Sequence, residues 1–243
     1  MKVIVEKDYD SLSKTTAQFL ASKIKIKPNI VLGLATGSTP KGTYRELIKL
    51  HREEGLDFSK VRTFNLDEYV GLDGEHPNSY RYFMNVFLFN HININRDNIF
   101  VPDGKTKELE KYCKKYDRLI EKSGGIDIQI LGIGTNGHIA FNEPADELST
   151  GTSIVNLTKN TIRDNSRFFK SIDEVPKTAI SMGMGSILKA KKIILLANGK
   201  NKAEIIKKLI EEDTITTYFP ASFLRLHPDV TIIVDGEAYS LIG

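Results

Sequence analysis

The chain of 243 residues contains one cysteine and no tryptophan. With Cys113 alone no intrachain disulfide can form, and a reducing, cytoplasmic setting is expected. Cys113 lies at helical spacing in KELEKYCKKYDRLIEK, which reads as a small packed apolar group rather than a nucleophile. Charge of one sign is also scarce. The formal net charge is +3, and the lysines are spread along stretches such as 105–122 as solvated helix faces, so nucleic acid is not an expected partner. No uncharged stretch approaches the roughly 18 residues of a membrane helix, so no membrane partner is expected either. The apolar start of MKVIVEKDYD is broken at Glu6, and no signal peptide is expected. Linkers rich in Pro, Gly or Ser and internal repeats are missing, so residues 1–243 read as one domain. Metal-type spacings (His-x-His, His-Glu-x-x-His) are absent, and no metal is expected. A serine-nucleophile elbow is missing too, since Gly183-Met184-Gly185-Ser186-Ile187 fails the pattern.

What is present is ordinary for a globular chain: 40% hydrophobic and 27% charged residues. Strand-like runs occur at 2–6, 29–34, 61–65, 127–133, 178–183, 192–197 and 230–235. Amphipathic helical patterns separate them, at 9–25, 40–54, 77–89, 105–122, 201–212 and 219–226. Continuous apolar strands alternating with helices predict an α/β fold with a mainly parallel sheet covered on both faces. TSIVNLT (152–158) and the polar NTIRDNSRFF after it interrupt the alternation, which makes about 157–178 a candidate lid.

Ligands of such sheets bind beyond the carboxyl ends of the strands, so the loops there are the places to look. After the second run comes ATGSTPKGTY. Gly37, Ser38 and Thr39 precede Pro40 at a helix start, where free amides and the helix dipole suit an anion such as phosphate, and Lys41 could add charge. An ordinary capped turn is the alternative. After the third run, Asp67 and Glu68 are adjacent, so an extended backbone cannot aim both into one cleft. One is a candidate general base if burial raises its proton affinity, and the other is left to a structural partner; a helix-capping acid is the competing reading. His76, before Pro77, reads as a turn residue.

LGIGTNGHIAFNEP (131–144) carries Gly132-x-Gly134-x-x-Gly137, the letters of a dinucleotide loop. Such a site needs a long helix after the third glycine and an acid about 20 residues on. Pro144 prevents a regular helix through the segment and no acid ends a strand at that distance, so a nicotinamide cofactor is not expected. The glycines read instead as a tight turn exposing His138, with Glu143 close enough to orient it for proton transfer near neutral pH. Arg167, in the suspected lid, and Lys202, opening a late helix, are candidate phosphate cations, each contact stabilising by about 1.5–3 kcal/mol.

Taken together, TFNLDEYVGL with HPNSYRYFM, LGIGTNGHIAFNEP, NSRFF, VPKTAISMGMGSIL and LRLHP closely resemble the glucosamine-6-phosphate deaminase (glucosamine-6-phosphate isomerase) family, with matching segments from about residue 29 to 235. The resemblance implies a modified doubly wound, Rossmann-like sheet and a reaction without metal or organic cofactor: glucosamine 6-phosphate plus water gives fructose 6-phosphate plus ammonia. It implies Asp67 as the base at C2, His138 with Glu143 for ring opening, and the Ser38–Thr39 loop, Arg167 and Lys202 around the phosphate. Two departures stand out. Many members have an aspartate where this chain has Asn136, which can hydrogen-bond the imidazole but cannot stabilise it by charge. Longer hexameric relatives carry basic residues after the catalytic loop that bind N-acetylglucosamine 6-phosphate as an activator. Here GTSIVNL offers Ser153 and Val155, and no such activation is expected; oligomerisation is left open. Two alternatives compete: a 6-phosphogluconolactonase-like sugar-phosphate hydrolase, which would release no ammonia, and a non-catalytic sugar-phosphate sensor, which would not need Asp67, His138 and Glu143 together.

Overall fold

The computed structural model describes residues 1–166 and 169–242, apart from the side chains of Asn160 and Asp164. In chain order the elements are β1 (Lys2–Glu6), α1 (Tyr9–Ile26), β2 (Val31–Leu34), α2 (Ser38–Glu54), β3 (Arg62–Asn65), β4 (Asp67–Tyr69), α3 (Tyr80–Phe87), β5 (Ile99–Phe100), α4 (Leu109–Lys122), β6 (Ile128–Leu131), β7 (Ser153–Asn156), α5 (Lys159–Asn165), β8 (Thr178–Ser181), α6 (Met184–Leu188), β9 (Lys192–Ala197), α7 (Ala203–Glu211) and β10 (Val230–Asp235). Residues 220–226, expected as a helix, form a 3-10 helix.

Seven strands build one sheet in the order β1-β10-β9-β6-β2-β3-β5, every neighbouring pair parallel. Alternate residues of its strands feed two cores. Val31, Leu131, Ile193, Leu195 and Ile232 pack with α4 and α7 through Tyr116, Ile120, Ile206 and Leu209. Leu32, Ile130, Ile194 and Ile233 pack with α1, α2 and α3 through Leu12, Leu20, Tyr44, Leu47 and Met84. This double burial is why the strands are apolar without alternation, and it gives the expected doubly wound, mainly parallel architecture.

From β2 the chain steps outward to β3 and β5; from β6 it steps the other way to β9 and β10. The loops after β2 and β6 therefore diverge and leave a crevice between them, the topological switch point of such sheets.

The run at 178–183 is a strand, but it does not join the main sheet. β8 lies in a second, antiparallel sheet of order β4-β8-β7. Leu66 is the pivot: its N–H bonds Leu34 of the large sheet, and its carbonyl accepts from Met182 next to the small one. Part of the interrupting segment TSIVNLT is β7, paired along β8. Arg167 lies outside the described residues.

Candidate active site

A cavity of about 800 Å³ opens at the switch point, within the usual range for small-ligand sites of about 300–1,000 Å³. Its walls come from the loop before α2, the end of β3 with the start of β4, the loop after β6, helix α5, and the start of α7. Gly37, Ser38, Thr39, Asp67, His138 and Lys202 all line it.

On the first wall α2 starts at Ser38 with no side-chain cap on its first amides, so this 17-residue helix presents its positive end to the cavity. Thr39 donates its hydroxyl to Asn198 Oδ1 at 2.9 Å. Lys202 reaches across from the start of α7 and donates to the carbonyl of Ile133 at 2.7 Å, tying that helix to the loop after β6. Lys41 turns away. Its ammonium lies over the Phe87 ring at 4.2 Å and lines a different groove.

On the second wall the adjacent carboxylates part as the extended backbone requires. Asp67, 6% exposed, faces the cavity. Glu68 faces away, accepting from the N–H groups of Tyr69 (2.9 Å), Tyr80 (2.9 Å) and Arg81 (3.0 Å). Glu68 therefore caps α3 together with Ser79, whose hydroxyl accepts from Tyr82 N–H. Among the described residues no hydrogen bond reaches the Asp67 carboxylate. Burial, reinforced by the charge of Glu68, pushes Asp67 up to about 8. Burial likewise pushes Glu68 up to about 7, against the three amides.

The third wall is the glycine-rich loop. A Cβ on Gly134 would stand 2.2 Å from Cε1 of His138, so only glycine lets the imidazole lie across this turn. Gly137 has φ +86°, and a Cβ there would meet the Phe219 ring at 2.2 Å. Ala140 holds φ +54°, an uncommon conformation for a residue with a Cβ, and also lines the cavity.

Asn136 and Glu143 stand behind His138. Asn136 Nδ2 donates to Glu143 Oε2 at 2.7 Å, which turns its Oδ1 toward His138. That oxygen accepts from the His138 backbone N–H at 3.2 Å and lies 2.7 Å from Nδ1. Because a carboxylate can only accept, the amide orientation is settled, and Nδ1 must carry the proton; Nε2 is left with the lone pair in the neutral ring. Glu143 Oε1 lies 3.4 Å from Nδ1 and also accepts from Thr161 of α5. Burial opposes the charge of Glu143, but His138, Thr161 and Asn136 together hold it below the usual carboxylate range.

The small sheet ties these two walls together. Asp67 pairs with Ser181 across β4 and β8, and Ser181 Oγ accepts from Phe141 N–H of the glycine loop at 3.1 Å. Asn142 donates to Ile139 and Met182 carbonyls, both at 2.9 Å. The base candidate and the imidazole are thus joined through one hydrogen-bonded frame. Thr161, Tyr80 and Arg163 also line the cavity, although the sequence reading gave none of them a role.

A buried carboxylate and an imidazole that face one cavity from separate walls are groups able to move protons, the equipment of an α/β acid–base enzyme. Similarity narrows the class. Residues 6–233 match the family described as glucosamine-6-phosphate isomerases/6-phosphogluconolactonase, and the chain belongs to that family. It is 58% identical over 242 residues to a glucosamine-6-phosphate deaminase of Thermoanaerobacter pseudethanolicus, covering 100% of this chain and 95% of that protein. It is 56% identical to the deaminase of Clostridium beijerinckii, covering all of both. The solved structure of a monomeric glucosamine-6-phosphate deaminase superposes with a TM-score of 0.96 at 49% identity, covering 99% of this chain and 100% of that one. A 6-phosphogluconolactonase from Trypanosoma brucei shares the fold, with a TM-score of 0.77 at 20% identity over 100% and 98% of the two chains.

Proposed function

We propose that this chain is a glucosamine-6-phosphate deaminase, converting glucosamine 6-phosphate and water to fructose 6-phosphate and ammonia. The observation that carries the reading is the convergence of Asp67 and His138, from separate walls, on one cavity that the amino end of α2 also enters. Relatives with that activity at 56–58% identity support it.

The chemistry dictates two proton sites. The C2 proton is acidic only when C1 is a carbonyl, so the closed ring opens first. His138 Nε2 takes the proton of the O1 hydroxyl, the C1–O5 bond breaks as C1=O1 forms, and the imidazolium returns the proton to O5. Asp67 then removes the C2 proton, and the electrons move into C1=C2 as O1 is protonated, giving an enolamine. Protonation at C1 leaves a C2 iminium; water adds there and ammonia departs. A carboxylate whose proton affinity is raised toward neutral pH suits the C2 step.

The amides before α2 with Gly37, Ser38 and Thr39, Lys202, and Arg167 from outside the described residues hold the phosphate. Helix α5 walls the cavity through Thr161, Arg163 and Asn165, and the 157–178 segment to which it belongs acts as a lid over bound substrate. Activation by N-acetylglucosamine 6-phosphate is absent. The stretch after the catalytic loop supports this, since Thr152, through its N–H and hydroxyl, and Ser186 donate to Asp117 of α4, an acid that would repel a phosphate there.

Ammonia release from glucosamine 6-phosphate, measured directly, tests the reaction. No ammonia with normal folding sinks it. Rates that are sigmoidal and relieved by the acetylated sugar would refute the statement on activation.

A further inference from the structure

We infer that Thr161 is a positioning residue for ring opening: from the wall helix α5, its hydroxyl holds Glu143 in the orientation that keeps the proton of His138 on Nδ1. The inference rests on the proposed reaction but adds a residue and a dependence that the reaction does not require.

The geometry is a continuous directional chain. Thr158 Oγ1, the cap of α5, donates to Thr161 Oγ1 at 3.1 Å and accepts from Thr161 N–H at 3.2 Å. With its acceptor side so engaged, the Thr161 hydroxyl gives its own proton to Glu143 Oε1. Glu143 Oε2 takes the amide proton of Asn136, and Asn136 Oδ1 takes the Nδ1 proton of His138. Thr161 and Glu143 are 7% and 8% exposed, so water does not substitute readily for a missing member.

The weak link in this chain is Asn136. An amide has a donor face and an acceptor face of nearly the same shape. The fixed carboxylate of Glu143, with the backbone N–H of His138 as a weaker neutral partner, decides which face meets the imidazole. If Glu143 swings, only the 3.2 Å bond from the His138 backbone N–H still holds the amide, which can then turn over and present Nδ2 to Nδ1. The imidazole must then carry its proton on Nε2, which can no longer accept the O1 proton. A helix that also walls the substrate cavity thereby controls whether the imidazole is set as a base.

The test compares Thr161→Val, which keeps the shape and removes the hydroxyl, with Thr161→Ser, which keeps the hydroxyl. Three quantities are read: turnover of glucosamine 6-phosphate, binding of the open-chain amino-alditol 6-phosphate that has no ring to open, and the tautomer of His138 from ¹H–¹⁵N spectra of the imidazole. Thr161→Val should lower kcat roughly 10- to 100-fold, the range expected for one hydrogen bond to a charged group. It should shift His138 toward the Nε2–H form and leave open-chain binding unchanged, and Thr161→Ser should restore both turnover and tautomer. A wild-type tautomer in Thr161→Val, equal losses in Val and Ser, or loss of open-chain binding along with turnover would overturn the inference. A wild-type chain that releases no ammonia defeats the proposed reaction instead, while the tautomer comparison still decides the role of Thr161.

Discussion

The strand carrying Asp67 and the loop carrying His138 face the same cavity but prepare their side chains by opposite means. Asp67 is deprived. It is buried, receives no hydrogen bond among the described residues, and sits next to the second carboxylate of Glu68, so its proton affinity rises. His138 is supplied, through Asn136, Glu143 and Thr161, with partners that fix where its proton lies. In the proposed reaction, the difference follows from the bond each would break. A C–H bond is a poor hydrogen-bond donor and a reluctant acid, so its base needs strength more than guidance. An O–H bond gives up its proton easily, and there the requirement is a lone pair on the correct ring nitrogen.

The sharpest way to break the comparison is Asp67→Asn. Turnover and exchange of the C2 proton with solvent should fall by about 10²–10⁴-fold or more, with substrate binding roughly kept. Near-normal exchange in the variant would mean that Asp67 is not the base. Stability should move the other way. The folded-state pKa of Asp67, near 8, lies above that of an unfolded aspartate, so between those values the folded state binds the extra proton. The stability this group contributes is complete at acid pH and is lost as pH rises toward 8 and beyond. Asn cannot ionise, so the variant should melt higher than wild type at pH 8 and lose that advantage near pH 4, by thermal denaturation at both. For wild type, the acid limb of kcat/KM should fall well above the ordinary carboxylate range, toward 8.

How far the sequence disclosed this arrangement depended on whether the signal was local. The strands at 2–6, 192–197 and 230–235 stand residue for residue where their apolar runs were; the latter two are buried on both faces and need uninterrupted apolar sequence, while β1 is a half-exposed edge strand. The run at 178–183 has the same appearance, yet it belongs to the small antiparallel sheet: burial reveals that a strand is covered, not which strands it pairs with. β4 is the polar triplet Asp67-Glu68-Tyr69 and carried no strand signal at all. At the site, Asp67 and His138 were legible because both follow strands at their carboxyl ends, and the parting of Asp67 from Glu68 followed from backbone alternation. Lys41 misled. It is next to the anion loop in sequence, but its place on α2 sends its ammonium to Phe83 and Phe87. Thr161 was invisible, since its contact with Glu143 spans 18 residues and depends on where α5 packs.

A milder break is Glu143→Gln, which attacks the supplied side. Glutamine can donate as well as accept, so the face that Asn136 shows to His138 is then held only by the His138 backbone N–H. Turnover of the closed-ring substrate should drop by about 10- to 100-fold, the scale of one charge-assisted hydrogen bond lost. Proton exchange at C2 of sugar that has already opened should be nearly spared. Equal losses in ring opening and in C2 exchange, measured on the same preparation, would show that the two walls are not independent.

The smallest expected effect sharpens the comparison instead of breaking it. Glu68 never enters the cavity, so Glu68→Gln leaves every proposed ligand contact in place and removes one charge beside Asp67. With that charge gone, ionisation of Asp67 is opposed by burial alone, and its proton affinity should fall. The acid limb of kcat/KM should therefore move to lower pH, while the plateau rate drops a few-fold because the base is weaker. Some stability should also go. The glutamine oxygen can keep the amides of Tyr69 and Tyr80, but its NH₂ would confront the N–H of Arg81, a loss of about 1 kcal/mol at the start of α3. A limb that stays where it is, with the same loss of stability, would mean that Glu68 serves only as a cap and that burial alone gives Asp67 its strength.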